Sequence, residues 1–226
     1  MENIKTSLKK HAFTLAEVLI TIGILGIISA LTIPNIIGNY RKKVVVMRLE
    51  KLYSILNQAI IYSESKNGAC STWNWGSVNE ARNPEFQENW WNTYFADYIP
   101  NVTSIKTNKN VTGSYMVFFK DGTALRIEAI TSKLLWVVLY VKPDLDLQKF
   151  ASGAYRDRSD FIPGKDYFGL YVFPEIKCTF NVDYYDKLSS NELVEACKNQ
   201  YTYGGPCLNL IINNNWKIPN NYPIKF

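Results

Sequence analysis

Phe13–Ile33 constrains this chain more than any other stretch: 21 residues, almost all apolar, with Glu17 as the one charge. At about 1.5 Å rise per residue a helix of that length covers about 32 Å, against a hydrocarbon core of about 30 Å. The segment is therefore long enough to span a membrane. A secretory signal has an apolar region of only about 7 to 15 residues ending in a small-x-small cleavage site. Here the run is longer, and its best such site, Ala30 to Thr32, is a poor one.

Glu17 is the anomaly in this run. A carboxylate at the centre of an inserted helix costs about 2.5 to 3.5 kcal/mol, and intramembrane ionisable groups usually have a partner. No basic residue lies within a helical turn of it. Two readings stay open: hydration by headgroups at the membrane edge, or a partner outside the folded chain.

The residues Ala12-Phe13-Thr14-Leu15-Ala16-Glu17, after a short leader with Lys5, Lys9 and Lys10, resemble the processing site of type IV pilins and type II secretion pseudopilins. The resemblance implies cleavage by a prepilin peptidase between Ala12 and Phe13, and N-methylation of Phe13. It also implies pairing of Glu17 with the new N-terminus of a neighbouring subunit, so that Phe13 and Glu17 register assembly. This chain departs from the family in carrying Ala12 where glycine usually precedes the cut.

Pro34 stands where pilin-like helices commonly carry a proline, and it removes one backbone hydrogen bond and kinks the axis. With Gly23 and Gly26 it marks a stretch able to unwind during packing into a filament, or one that packs closely through small residues. Lysine and arginine counts do not set the topology, because Arg41, Lys42 and Lys43 stand beyond the apolar run. The resemblance places the leader in the cytoplasm and the rest outside, a single-pass inner-membrane protein before it joins an extracellular or periplasmic filament. Its implied partners are the prepilin peptidase, other pilin or pseudopilin subunits, an assembly ATPase, an inner-membrane platform protein, and membrane lipid before assembly.

The expected organisation is a leader over 1–12, a long helix over 13–66 (13–33 transmembrane, 34–66 amphipathic) and one globular domain over 67–226. The fold class expected is α+β and pilin-like, with the helix packed on an antiparallel sheet. Beyond Pro34, Ile37, Tyr40, Val44, Val45, Leu52, Ile55, Leu56, Ala59 and Ile60 recur mostly at three and four residues, a stripe for covering that sheet. Asn67-Gly68 supplies a stop. Asn83-Pro84-Glu85 reads as a helix start, predicting a helix from Pro84 to Tyr98. Tyr115–Phe119 and Thr123–Ile130 read as a hairpin about a two-residue Asp121-Gly122 turn, followed by strands over Leu134–Val141 and Phe168–Phe173. A further strand is expected over Leu208–Ile212.

All four cysteines, Cys70, Cys178, Cys197 and Cys207, follow the apolar run, in a compartment that is oxidising if the topology holds. Four cysteines allow three pairings and spacing alone does not choose. Cys197 with Cys207 and Cys70 with Cys178 is favoured because the first pair closes a short loop containing Gly204-Gly205-Pro206. Loop-closure entropy then gives about 3 and about 5 kcal/mol. Zinc is disfavoured, since no close Cys pair occurs.

The formal charge is +5, and the leader carries three lysines and one glutamate of that. The remaining basic residues form no long run, so Lys106, Lys109, Arg126, Arg156 and Arg158 read as solvated charge, and nucleic acid is not an expected partner. Relatives that bind calcium near the Gly164-Lys165-Asp166-Tyr167-Phe168 segment draw attention to Asp144, Asp146, Asp157, Asp160 and Asp166. Their spacing reads as ordinary turns, and no metal or cofactor site is expected.

The only histidine, His11, lies in the leader, so the processed chain has no imidazole for acid–base work. Asp157 with Asp160 and Glu192 with Glu195 are carboxylate pairs that nothing fixes in a cleft. No P-loop, dinucleotide fingerprint or zinc-protease motif occurs. A structural filament subunit is the function expected, not an enzyme. The alternative is a secreted or membrane-anchored carbohydrate-binding protein with Trp73, Trp90, Trp91 and Tyr94 as its platform, although aromatics at helical spacing more often form a core.

Overall fold

The computed structural model describes residues 14–77, 79–80, 83–108, 114–131, 133–141, 161–181, 187–199 and 203–226. Two compact units are present, Met1–Arg41 and Lys42–Phe226. Helix α1, Leu15–Asn67, runs through both. It stops where expected: Gly68 has φ +79° and its N–H donates to the Glu64 carbonyl at 3.0 Å, a left-handed cap that a residue with a Cβ adopts only under strain.

In the second unit an antiparallel six-stranded sheet has its strands in chain order: β1 Val102–Asn108, β2 Ser114–Phe119, β3 Ala124–Ile130, β4 Leu135–Tyr140, β5 Tyr167–Phe173 and β6 Lys177–Asn181. Alternation assigns the faces. Val117, Leu125, Val137 and Leu170 share one buried cluster with Leu49, Leu52, Leu56 and Ile60 of α1. Phe118, Ala124, Val138 and Tyr140 belong to a second cluster with Phe161 and Tyr167. Both faces are therefore apolar and buried. Burying one such Leu or Ile stabilises the fold by about 1.5 to 3 kcal/mol, so the four α1 residues anchor the helix without any polar contact.

Polar contacts fix the helix's register on the sheet. Arg48 donates from Nη1 to the Val141 carbonyl and from Nη2 to the Asp121 carbonyl, both at 3.0 Å. Lys51 Nζ lies 2.7 Å from Asp121 Oδ2. At the β6 edge of the sheet, Asn57 Oδ1 accepts from Phe180 N at 2.8 Å and Asn57 Nδ2 donates to Phe180 O at 3.3 Å. One side-chain amide thus satisfies both backbone groups of an edge-strand residue, as a neighbouring strand would.

Several elements differ from expectation. The β2–β3 connection has three residues, Lys120–Gly122, because Phe119 and Thr123 still pair (Phe119 N to Thr123 O, 3.0 Å) and Gly122, at φ +80°, closes the turn. Helix α2 is Pro84–Tyr94, shorter than the Pro84–Tyr98 expected. Asn83 caps its start, but at Phe95 the backbone leaves the helical region (φ −127°) and the apolar period continues through a turn. Leu208–Ile212 is helical, not a strand. It lies in α4, Gly205–Asn213, which follows α3, Ser190–Lys198. A short apolar run carries no period that tells a buried helix from a strand. Here Pro206 in the first turn, after the left-handed Gly204, favours the helix.

Candidate functional site

The N-terminal segment is the candidate site, and its described part begins at Thr14. His11, Ala12 and Phe13 lie outside the described residues. Thr14 and Glu17 form a reciprocal cap at the start of α1. Glu17 Oε2 accepts from Thr14 N and from Thr14 Oγ1, both at 2.8 Å, and Glu17 N donates to Thr14 Oγ1 at 3.2 Å. This is the S/T-x-x-E capping box, legible as Thr14-Leu15-Ala16-Glu17, and it adds a partner within the chain to the headgroup and neighbouring-subunit readings of Glu17. The carboxylate accepts the Thr14 N–H, the Thr14 hydroxyl accepts the Glu17 N–H, and the negative charge faces the positive end of the helix dipole. Its cost in an apolar run is thereby partly offset within the chain.

Beyond the cap the helix surface is greasy and open. Leu19, Ile22, Leu25, Ile27 and Leu31 are all at least 60 % exposed. Nothing lies within 4 Å of where a Cβ on Gly23 or Gly26 would sit, so the bare backbone is free for a close neighbour. Pro34 lies inside α1 and has no N–H for the Ala30 carbonyl. This helix is long and apolar enough to cross a membrane, and its apolar stretch is not buried within the fold.

The disulfides join Cys70 to Cys178 and Cys197 to Cys207. The first ties the segment after α1 to β6, and the second clasps α3 to α4. Ser189 and Glu192 cap α3 reciprocally, and the Ser189 side-chain and backbone donors hold the Glu192 carboxyl below its usual range. Glu195 pairs with Lys198 at 3.5 Å on the surface. Glu192 is thus a capping group, and Glu195 is engaged with Lys198 on the same helix.

Trp73, Trp90, Trp91 and Tyr94 are buried, at 5, 3, 2 and 9 % exposure. Trp73 stacks on Tyr94 with centroids 4.5 Å apart, and its indole N–H donates to the Gly68 carbonyl at 2.9 Å. They pack a core and offer no sugar platform. Asp166 Oδ2 accepts from Ile162 N at 2.9 Å, a turn role. Asp144, Asp146, Asp157 and Asp160 lie outside the described residues, as do Lys109, Arg156 and Arg158. Among the described residues no group of three His, Cys, Asp or Glu side chains is placed to hold a metal. Arg126 lies 5.7 Å from the centroid of the Tyr140 ring, within the sheet's second face.

An apolar helix capped at Glu17, whose outer half is buried against a disulfide-linked antiparallel sheet, is the architecture of a type IV pilin-like protein. Residues 7–33 match the prokaryotic N-terminal methylation motif, the signature of a prepilin segment. Residues 35–226 match a family of unknown function, DUF6613, and the chain belongs to that family. No curated protein and no solved structure matches the chain. Pilin-like proteins as a class are structural, not catalytic.

Proposed function

We propose that the chain is a structural subunit, a pilin or pseudopilin, of a type IV pilus or type II secretion filament. Prepilin peptidase removes residues 1–12 by cutting between Ala12 and Phe13, and Phe13 becomes the N-methylated terminus. Residues 13–33 hold the subunit in the inner membrane, with the globular part outside the cytoplasm, until an assembly ATPase and platform protein drive it into the filament. There the apolar face of α1 exchanges lipid for other helices. The observation that carries this reading is the methylation motif at residues 7–33 continuing into a helix whose apolar stretch has no cover within its own fold.

The capping box adds a step. Glu17 already accepts two hydrogen bonds from Thr14, so pairing with a neighbour's ammonium requires its carboxylate to exchange neutral donors for a charged one. Charge-assisted bonds are about twice as strong as neutral ones, which favours the exchange. The test is mass spectrometry of the mature N-terminus together with the Glu17→Ala variant. A methylated Phe13, and a variant that inserts into membrane but stays out of filaments, is the expected pair of results. An N-terminus after Ala30 or Thr32, or an unchanged filament yield, overturns the reading.

A further inference from the structure

Six basic residues follow Pro34 on α1, and the fold uses only three of them. Arg48 holds the Val141 and Asp121 carbonyls, Lys51 holds the Asp121 carboxylate, and Lys66 lies 3.1 Å from Asp97. Arg41, Lys42 and Lys43 do nothing comparable. No carboxylate among the described residues lies within ion-pair distance of them. Positions three and four residues to either side of them hold no acid. Arg41 and Lys43 are exposed and Lys42 is half-buried. Three adjacent cations without a counter-charge are an unspent attraction for an anion.

Helix length says which anion. Between Glu17 and Arg41, residues 18–40 carry no charge. At about 1.5 Å per residue these 23 residues span about 34 Å, slightly more than a hydrocarbon core of about 30 Å. Residues 13–33 are the most apolar part of the anchor, but the charge-free stretch runs on through residue 40, so the register that buries no charge is shifted outward to 18–40 and places Glu17 at one hydrocarbon edge and Arg41 just past the other. Headgroups extend about 5 to 8 Å further on each side, and Lys43 is about 3 Å beyond Arg41. All three cations fall in the phosphate layer. Tyr40, 66 % exposed, sits one residue inside them, where an aromatic with a polar tip suits the interface. Ile36 and Ile37, 64 and 43 % exposed, extend the apolar surface towards that boundary.

We infer that Arg41, Lys42 and Lys43 form a binding surface for the phosphates of anionic phospholipids in the leaflet on the globular side, an anchor that the subunit must release when it leaves the membrane. The inference rests on the membrane-spanning reading above. Each cation at such a surface strengthens attraction to anionic lipid by about fivefold, and salt weakens it.

The test reconstitutes the full-length chain into phosphatidylcholine vesicles containing spin-labelled phosphatidylglycerol or spin-labelled phosphatidylcholine, and measures the immobilised fraction of each. The wild type is expected to prefer phosphatidylglycerol by about fivefold or more at low salt, with the preference falling as salt rises. Arg41→Gln/Lys42→Gln/Lys43→Gln should remove most of that preference while tryptophan fluorescence stays unchanged. Lys5→Gln/Lys9→Gln/Lys10→Gln, which neutralises the other end, should retain it. The inference fails if the two triple variants behave in reverse, or if the wild type shows no preference while resisting alkaline carbonate extraction. Extraction of the wild type by carbonate would instead refute the spanning reading, and the anchor with it. Loss of preference in the first triple variant together with altered fluorescence would assign these side chains to the fold and also overturn the proposal.

Discussion

Removing the two disulfides one at a time should cost unequal amounts, in an order set by loop length. Cys70 and Cys178 are separated by 108 positions, and Cys197 and Cys207 by 10. Loop-closure entropy gives about 4.8 kcal/mol for the longer loop and about 2.7 for the shorter at 25 °C. Local packing works slightly against that order, because Cys197 and Cys207 are both buried whereas Cys178, unlike its partner Cys70, is half-buried; a difference of part of one sulfur's burial is small beside the roughly 2 kcal/mol between the two loops. The assay is urea unfolding of Cys70→Ala/Cys178→Ala and Cys197→Ala/Cys207→Ala, as full-length chains in nonionic detergent. Tryptophan fluorescence follows the second unit alone, since all six tryptophans lie in it. With a slope of about 2 kcal/mol per molar urea, the midpoints should fall by about 2.4 M and about 1.3 M. A short-loop variant that loses as much as the long-loop one would refute the argument that these bonds act through the unfolded chain.

Two further outcomes follow from the seating of α1. Leu52→Ala deletes a side chain 1 % exposed between helix and sheet, and should lower unfolding free energy by about 2 to 5 kcal/mol in the same urea titration; a loss below 1 would mean the helix is not seated there. At Asp121, burial raises the carboxyl's pKa, but the Lys51 and Thr123 hydrogen bonds and the Lys51 charge outweigh it and leave the group below its usual range. A depressed folded-state pKa contributes stability that is present above the unfolded value and lost as pH falls through the folded one. Asp121→Asn should therefore destabilise at neutral pH and flatten the decline in thermal midpoint below about pH 4. An unchanged acid limb would exclude Asp121 as a contributor.

The elements legible in the sequence were those whose signal is local. The apolar run, the Asn67-Gly68 stop, the Asn83-Pro84 start and the alternation through β2 to β5 each lie within a few residues of what they specify. The edge strands were not legible. β6, Lys177–Asn181, is short and carries a lysine, a cysteine and an asparagine, and the side chain that completes it is Asn57, 123 positions earlier. β1 reads as a polar stretch because an edge strand need not be apolar. Helix α3 has a readable start in Ser189-Ser190-Asn191-Glu192, the same capping pattern as at Thr14, and at both places one carboxylate is open to a chemical reading as well as a capping one. Helix α4 was misread because Leu208, Leu210 and Ile211 are buried together with Asn209, so no polar face marks a helical period. At the candidate site, the motif could be read but the Thr14 hydrogen bonds on Glu17 were not anticipated.

The amide of Asn57 has a consequence for how such molecules accumulate. By occupying the peptide donor and acceptor of Phe180, it impersonates a seventh strand and blunts that margin against recruitment of another chain's backbone. Lateral β-stacking is discouraged on that side, so crowded copies of the molecule find no ready backbone template along β6.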